Sequence, residues 1–135
     1  MYRIGLVLSP LVLLSGLLGC GASHYPVEGA VRFKNGKDPK VLAGGTVYFE
    51  PLDPKIPGNI HGALREDGSF KLGREAEGDG IEPGDYKVLV IPPATHPDRP
   101  RKGKAPLSAV YQRRDLTPLQ VRVEAKQNSV QLEVE

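Results

Sequence analysis

The chain has 135 residues, of which 18 are basic and 16 acidic, so its formal net charge is +2. This length accommodates one domain with a modest hydrophobic core and leaves no room for a second domain. Loss of an N-terminal leader containing Arg3 would lower the charge to +1. A nearly neutral domain excludes binding of nucleic acid or another polyanion over the whole surface, so any basic effect must be local.

The first 19 residues predict an export signal. Residues 4–18 form an apolar run directly after Arg3, broken by glycine, serine and one proline. The run is too short and too interrupted for a membrane-spanning helix, which needs about 20 apolar residues. A buried core helix is the alternative interpretation. The pattern favours a signal peptide over residues 1–19.

The apolar run ends in Leu17-Leu18-Gly19-Cys20, which resembles the lipobox of bacterial lipoproteins. In that pattern a small residue precedes a cysteine that is lipidated on sulfur and becomes the new N-terminus. Cys20 is the only cysteine in the chain, and lipidation would account for a lone thiol that can form no intramolecular disulfide. The alternative is a free cysteine beside an uncleaved anchor. Several acyl chains, as the resemblance implies, would attach the protein stably to a membrane.

Residues 20–26 are expected to comprise the lipidated cysteine and a short tether that serves as a spacer. The residue after the cysteine is Gly21 rather than aspartate. In the sorting pattern that the lipobox resembles, the absence of aspartate favours the outer membrane over the inner one. We therefore expect an exported protein that is lipid-anchored to the cell envelope through Cys20.

Residues 27–135 contain short segments in which apolar and polar residues alternate, separated by turn signals. Strands are predicted over residues 27–33, 44–50, 85–91, 119–124 and 130–134, with two more inside residues 60–72. Residues 107–111 are expected to form a short extended piece. No helical period is present, and the strand at 85–91 is expected to be central. The pattern predicts an all-β, antiparallel β-sandwich of about seven strands.

A predicted β-hairpin over residues 60–72 organises this domain, with Glu66-Asp67-Gly68 at its tip. Gly68 accepts the positive φ of hairpin turns, and Asp67 can hydrogen-bond to the backbone of its own turn. The resulting register turns five residues toward the core: Ile60, Gly62, Leu64, Phe70 and Leu72. Residues 119–134 predict a second, terminal hairpin.

Residues 73–84 predict a surface loop, since Glu75, Glu77, Asp79 and Glu82 stand there among four glycines. Its carboxylates offer oxygen ligands suited to calcium, but their spacing matches no known calcium loop, and solubilising charge is the favoured interpretation. Glu66 and Asp67 are likewise expected to serve the turn rather than acid-base chemistry.

Residues 92–106 contain five prolines and predict an exposed loop. Four basic residues in it form a local positive patch, which we call the basic loop: Arg99, Arg101, Lys102 and Lys104. Such a patch would attract anionic lipid headgroups or acidic envelope polymers by about 1 kcal/mol per residue. The alternative is a loop that is merely solvated.

Five motifs in chain order resemble the transthyretin-like, carboxypeptidase regulatory-like domains, particularly the small lipoproteins of that type in planctomycete bacteria. They are Val27-Glu28-Gly29-Ala30-Val31, Leu42-Ala43-Gly44-Gly45-Thr46-Val47, Glu66-Asp67-Gly68-Ser69-Phe70, Pro83-Gly84-Asp85-Tyr86-Lys87-Val88 and Thr117-Pro118-Leu119-Gln120-Val121. The resemblance implies a seven-stranded Greek-key sandwich over residues 27–135. It also implies an accessory or interaction module rather than a catalyst.

One enzymatic relative of that fold hydrolyses 5-hydroxyisourate with histidines, an arginine and a Tyr-Arg-Gly-Ser ending. This chain ends Gln131-Leu132-Glu133-Val134-Glu135, and the spacing of its histidines predicts no metal site. They are His24, His61 and His96. We therefore expect a non-enzymatic envelope protein without a cofactor that contacts another protein or a polysaccharide. The alternative, a small secreted hydrolase, would require His61 beside an arginine in a pocket.

Overall fold

A computed structural model describes residues 23–95 and 103–135. The predicted signal peptide, Cys20 and most of the basic loop lie outside the described residues, so these predictions are not tested by it. Of the four basic-loop residues, Lys104 alone is described, and it is exposed. In the part of the chain that the structure describes, no helix is long and apolar enough to cross a membrane.

The described residues form two β-sheets and two short 3-10 helices. The strands are β1 (Val27–Phe33), β2 (Thr46–Pro51), β3 (Ile60–Ala63), β4 (Ser69–Lys71), β5 (Gly84–Ile91), β6 (Gln120–Val123) and β7 (Asn128–Val134). The 3-10 helices are η1 (Pro39–Leu42) and η2 (Ala109–Gln112). The predicted extended piece at residues 107–111 is therefore wrong. Its backbone turns because the side chain of Ser108 accepts a hydrogen bond from the Val110 amide.

One sheet has the strand order β4-β1-β7 and the other β3-β2-β5-β6. Their inward-facing apolar side chains form one buried cluster, in which Phe49 contacts the rings of Phe70 and Tyr86 at centroid distances of 6.4 and 5.8 Å. Strand β5 lies between β2 and β6, as its sequence predicted, and Val88 and Val90 on it are fully buried. The predicted all-β, sandwich-like architecture is confirmed at this level.

The expectation of a wholly antiparallel fold is wrong for one strand pair. β1 and β7 run parallel, from Val27 opposite Asn128 to Phe33 opposite Val134. The predicted terminal hairpin is also wrong. β7 pairs with β1, whereas β6 pairs with β5 in the other sheet. Asn128 turns the chain between the sheets: its side chain accepts from the Glu124 amide and donates to the carbonyl oxygens of Glu124 and Lys126.

Residues 60–72 turn as predicted, but the two arms belong to different sheets. Gly68 has a φ of +82°, and the Asp67 carboxylate accepts hydrogen bonds from the amide and hydroxyl of Ser69. The five residues predicted to face the core are all buried. β3 pairs with β2 and β4 with β1, while backbone bonds join the arms at Arg65–Ser69 and His61–Gly73. The splayed hairpin thus closes one edge of the sandwich.

The loop at residues 73–84 is not wholly at the surface. Ile81 is fully buried, and its backbone exchanges two hydrogen bonds with Tyr25, of 2.8 and 2.9 Å. The predicted tether is therefore docked at its C-terminal end. The sequence did not predict the burial of Ile81, because a single isoleucine among glycines and acidic residues forms no alternating pattern.

Candidate functional site

A recess opens beside β3 and β4, the two arms of the splayed hairpin. Its volume is about 210 Å³, and its wall combines β3, the end of β4 and the start of the following loop. The side chains that bear functional groups there are His61, Lys71, Arg74, Glu75 and Glu77. The structure thus brings His61 and an arginine to one recess, which is the placement that the hydrolase alternative required.

Arg74 in this recess is committed to structural contacts. Its guanidinium donates to Glu82 at 2.6 Å and to the backbone oxygens of Pro57 and Gly58 at 2.9 and 3.3 Å. The side chain is 19% exposed. These three bonds tie two loops together and use three of the five N–H donors of the guanidinium, so its position is fixed and the donors on Nη1 remain.

Glu82 links this arginine to the docked tether. Burial raises the pKa of Glu82, but the hydrogen bond from Arg74, a backbone hydrogen bond and the nearby charge of Arg74 outweigh this effect, so the pKa lies below its ordinary value. His24 Nε2 lies 3.3 Å from Glu82 Oε1. The Tyr86 hydroxyl donates to the Glu82 backbone oxygen at 2.6 Å, and burial raises the Tyr86 pKa to about 12. These groups form a fixed structural network.

Asp79 organises the loop that forms one wall of the recess. Its carboxylate accepts hydrogen bonds from the backbone amides of Arg74, Glu75 and Ala76, at 3.1, 3.3 and 3.3 Å. Glu77 is paired with Arg65. Of the carboxylates that could have served calcium, Asp79 is therefore engaged in the loop itself and Glu77 is engaged with Arg65. Within residues 23–95 and 103–135, no three acidic, histidine or cysteine side chains converge as a metal site.

These contacts predict a pH dependence of stability. Partial burial raises the pKa of Asp79, but the three backbone donors and Arg74 outweigh it, so the pKa is lowered on folding. A lowered carboxyl pKa stabilises the fold above the unfolded-state pKa, and this stability is lost as the pH falls through the folded-state pKa. We expect the free energy of unfolding in urea to fall less between pH 7 and pH 3 in Asp79→Asn than in the wild type. Parallel pH curves would contradict this role.

A second recess lies on the outward face of the four-stranded sheet. Its volume is about 440 Å³, and its wall includes Tyr48, Glu50, Pro51, Asn59 and Arg114. Arg114 lies 3.4 Å from the Glu50 carboxylate and also donates to the Pro51 backbone oxygen. Sequence reasoning missed this site, because Tyr48 was assigned only as a strand residue and Arg114 lies in a stretch without periodicity.

One side chain from each recess belongs to a pair of rings. Tyr48 and His61 are directly opposite on β2 and β3, with ring centroids 5.8 Å apart. Tyr48 lines the larger recess and His61 the smaller one. Nδ1 of His61 is buried and has no hydrogen-bond partner among the described residues. A buried polar atom without a partner costs roughly 1–3 kcal/mol, so this histidine carries a local cost to stability.

Comparison with known proteins supports the fold. The chain resembles a DUF3823 family protein from Parabacteroides merdae. That match has 16% sequence identity and a TM-score of 0.50, and it covers 84% of this chain and 46% of the other. The chain thus spans less than half the length of that protein, and a likeness at this identity concerns the fold alone. No family model matches the chain. No curated protein matches it either. The transthyretin-like relationship therefore stays an expectation from the sequence motifs.

Proposed function

We propose that this protein is an exported, lipid-anchored sandwich domain that acts as a non-enzymatic interaction module of the cell envelope. Its strands would be joined in the Greek-key order of the transthyretin-like domains that its motifs resemble. The observation that carries the proposal is the lone Cys20 at the end of an apolar run, in Leu17-Leu18-Gly19-Cys20. The absence of aspartate after it favours the outer membrane.

The docked tether supports a close and oriented attachment. The four peptide steps from Cys20 to His24 span at most about 14 Å. His24 and Tyr25 contact Glu82 and Ile81 at one end of the sandwich. An acylated Cys20 would therefore hold this end, which we call the tether end, against the membrane.

The basic loop joins the described part of the chain at the end of the sandwich that would then face away from that membrane. Its flanks lie at the opposite end of the sandwich, where Ile91 pairs with Thr46 and Lys37 donates to the Pro106 backbone oxygen. A seven-residue strand such as β1 separates the two ends by roughly 23 Å. Of the two proposed targets of the basic loop, this arrangement favours acidic envelope polymers over headgroups of the anchoring membrane.

The hydrolase alternative keeps one observation in its favour, the unpartnered Nδ1 of His61 in a recess that Arg74 also lines. Against it, the guanidinium of Arg74 is bound to Glu82 and two carbonyl oxygens. Fold likeness alone assigns no activity. An assay of the purified protein with 5-hydroxyisourate separates the two functions. An interaction module is expected to leave the uncatalysed rate of hydrolysis unchanged. Hydrolysis that depends on His61 would overturn the non-enzymatic proposal.

Lipidation is tested by Cys20→Ser. We expect wild-type protein in the membrane fraction to carry an acylated N-terminal cysteine, whereas the variant keeps no acyl group because it lacks the sulfur nucleophile. Mass spectrometry of both proteins measures this directly. Ser23→Ala, which leaves the lipobox-like motif intact, is the control. An intact and unmodified Met1 terminus on wild-type protein would reject the anchor.

A further inference from the structure

The ring pair on the outward face of the four-stranded sheet is an exposed aromatic platform. Tyr48 is 36% exposed, and the planes of the Tyr48 and His61 rings are tilted by 38°. Other large apolar residues are also exposed in the described part of the chain, but Tyr48 is the one of them that lines either recess beside the ring pair. An amphipathic ring in this position offers a flat apolar face together with a hydroxyl group.

Donors and acceptors surround this platform in balanced charge. The Glu50 carboxylate and the Arg114 guanidinium lie 3.4 Å apart and remain 35% and 56% exposed. They present an acceptor and a donor side by side with no net charge, which suits a neutral polar ligand better than an ionic one. Asn59, in the same wall, has a φ of +62°. Asparagine is one of the few non-glycine residues that adopt this left-handed conformation readily.

The shape favours a chain-like ligand. Tyr48 lines the larger recess and His61 the smaller one, and the contact between their rings makes the two recesses neighbours on this face. A stable protein-protein interface buries about 800 Å² on each partner around an apolar core, whereas this face has one exposed aromatic ring among polar groups. An extended, polyhydroxylated ligand fits it better.

We propose that this face binds a neutral polysaccharide. The C–H face of one sugar ring stacks on Tyr48, while its hydroxyl groups exchange hydrogen bonds with Glu50, Arg114 and Asn59. A neighbouring sugar lies in the smaller recess, beside the His61 ring. This inference names the ligand class of the proposed interaction module, and it does not depend on the lipid anchor.

The test uses the full-length protein in detergent micelles and a panel of neutral hexasaccharides: cellohexaose, maltohexaose, mannohexaose and xylohexaose. Isothermal titration calorimetry is expected to show binding of at least one of them. Tyr48→Ala is expected to weaken that binding by about tenfold or more, because truncating a central aromatic ring removes the main apolar contact. Tyr48→Phe keeps the ring and is expected to retain most of the affinity. Val41→Ala, at an exposed apolar residue outside both recesses, is the control.

Three outcomes would overturn the inference: no binding by any hexasaccharide, equal binding by wild type and Tyr48→Ala, or Tyr48-dependent capture of a protein without sugar binding. An unchanged urea midpoint in Tyr48→Ala ensures that lost binding is not lost folding. The result is separable from the proposed function. If the protein is acylated but binds no hexasaccharide, this inference alone is rejected. If the protein hydrolyses a bound hexasaccharide, the non-enzymatic role is rejected.

Discussion

Phe70→Ala is expected to lower the free energy of unfolding by about 3–5 kcal/mol, which is the usual cost of removing a fully buried phenylalanine. Phe70 is 1% exposed and packs between the sheets, with its ring centroid 6.4 Å from that of Phe49. The loss combines the transfer free energy of the ring with the cavity that it leaves. Urea unfolding at neutral pH measures it. Since small domains are stable by only about 5–15 kcal/mol, this is a large fraction of the total.

Lys71→Ala is the matched control, one residue further along β4. Lys71 is exposed on the outward face of the strand, opposite Glu28 of β1, and its removal is expected to cost under about 1 kcal/mol. If Phe70→Ala does not fold, Phe70→Leu should still be measurably less stable than Lys71→Ala. Equal, small shifts for both positions would mean that the inward face of β4 is assigned incorrectly.

Gly73→Ala is expected to destabilise the fold at or above the upper end of the roughly 1–3 kcal/mol typical of overpacking. A Cβ at this position would lie 1.8 Å from the Ala76 backbone oxygen and 2.4 Å from Asp79 Oδ1. Both atoms belong to the tightly bonded loop, so neither can move without breaking its hydrogen bonds. The variant should also disturb the backbone pair with His61, and hence the smaller recess. Urea unfolding measures the loss of stability.

Gly58→Ala provides the comparison for that variant. No atom lies within 4 Å of a Cβ built at Gly58, and its φ is not in the left-handed region. We expect a change within about 0.5 kcal/mol. An equally small loss of stability in Gly73→Ala would show that the loop around Asp79 deforms more easily than its hydrogen bonds indicate.

The candidate site was only partly predictable from the sequence. His61 was identified as the histidine that an enzyme would need, and the structure does place it in a recess with an arginine. The arginine is Arg74, and its position is fixed by Glu82 and by backbone oxygens more than ten residues away, which no local pattern in the sequence reveals. The Glu50–Arg114 pair joins residues far apart in the chain, and no local pattern encodes such a meeting.

The sequence by itself determined where the strands lie, which side chains face inward and where the chain turns at Gly68. Alternation with a period of two residues reports the buried side of a strand, and glycine after Asp67 reports the turn, because both are local properties. The prediction of export and lipidation signals in residues 1–20 rests on local features as well, namely an apolar run and the cysteine that ends it.

Only the tertiary structure decided which strands are neighbours. The alternation of β3 and β4, or of β6 and β7, is the same whether the two strands pair with each other or separate into facing sheets. The choice is made by packing across the core, which draws β4 and β7 to the two sides of β1 and leaves β3 and β6 at the edges of the other sheet. The recess at His61 and the burial of Ile81 follow from that choice, because both depend on contacts between segments that no local spacing relates.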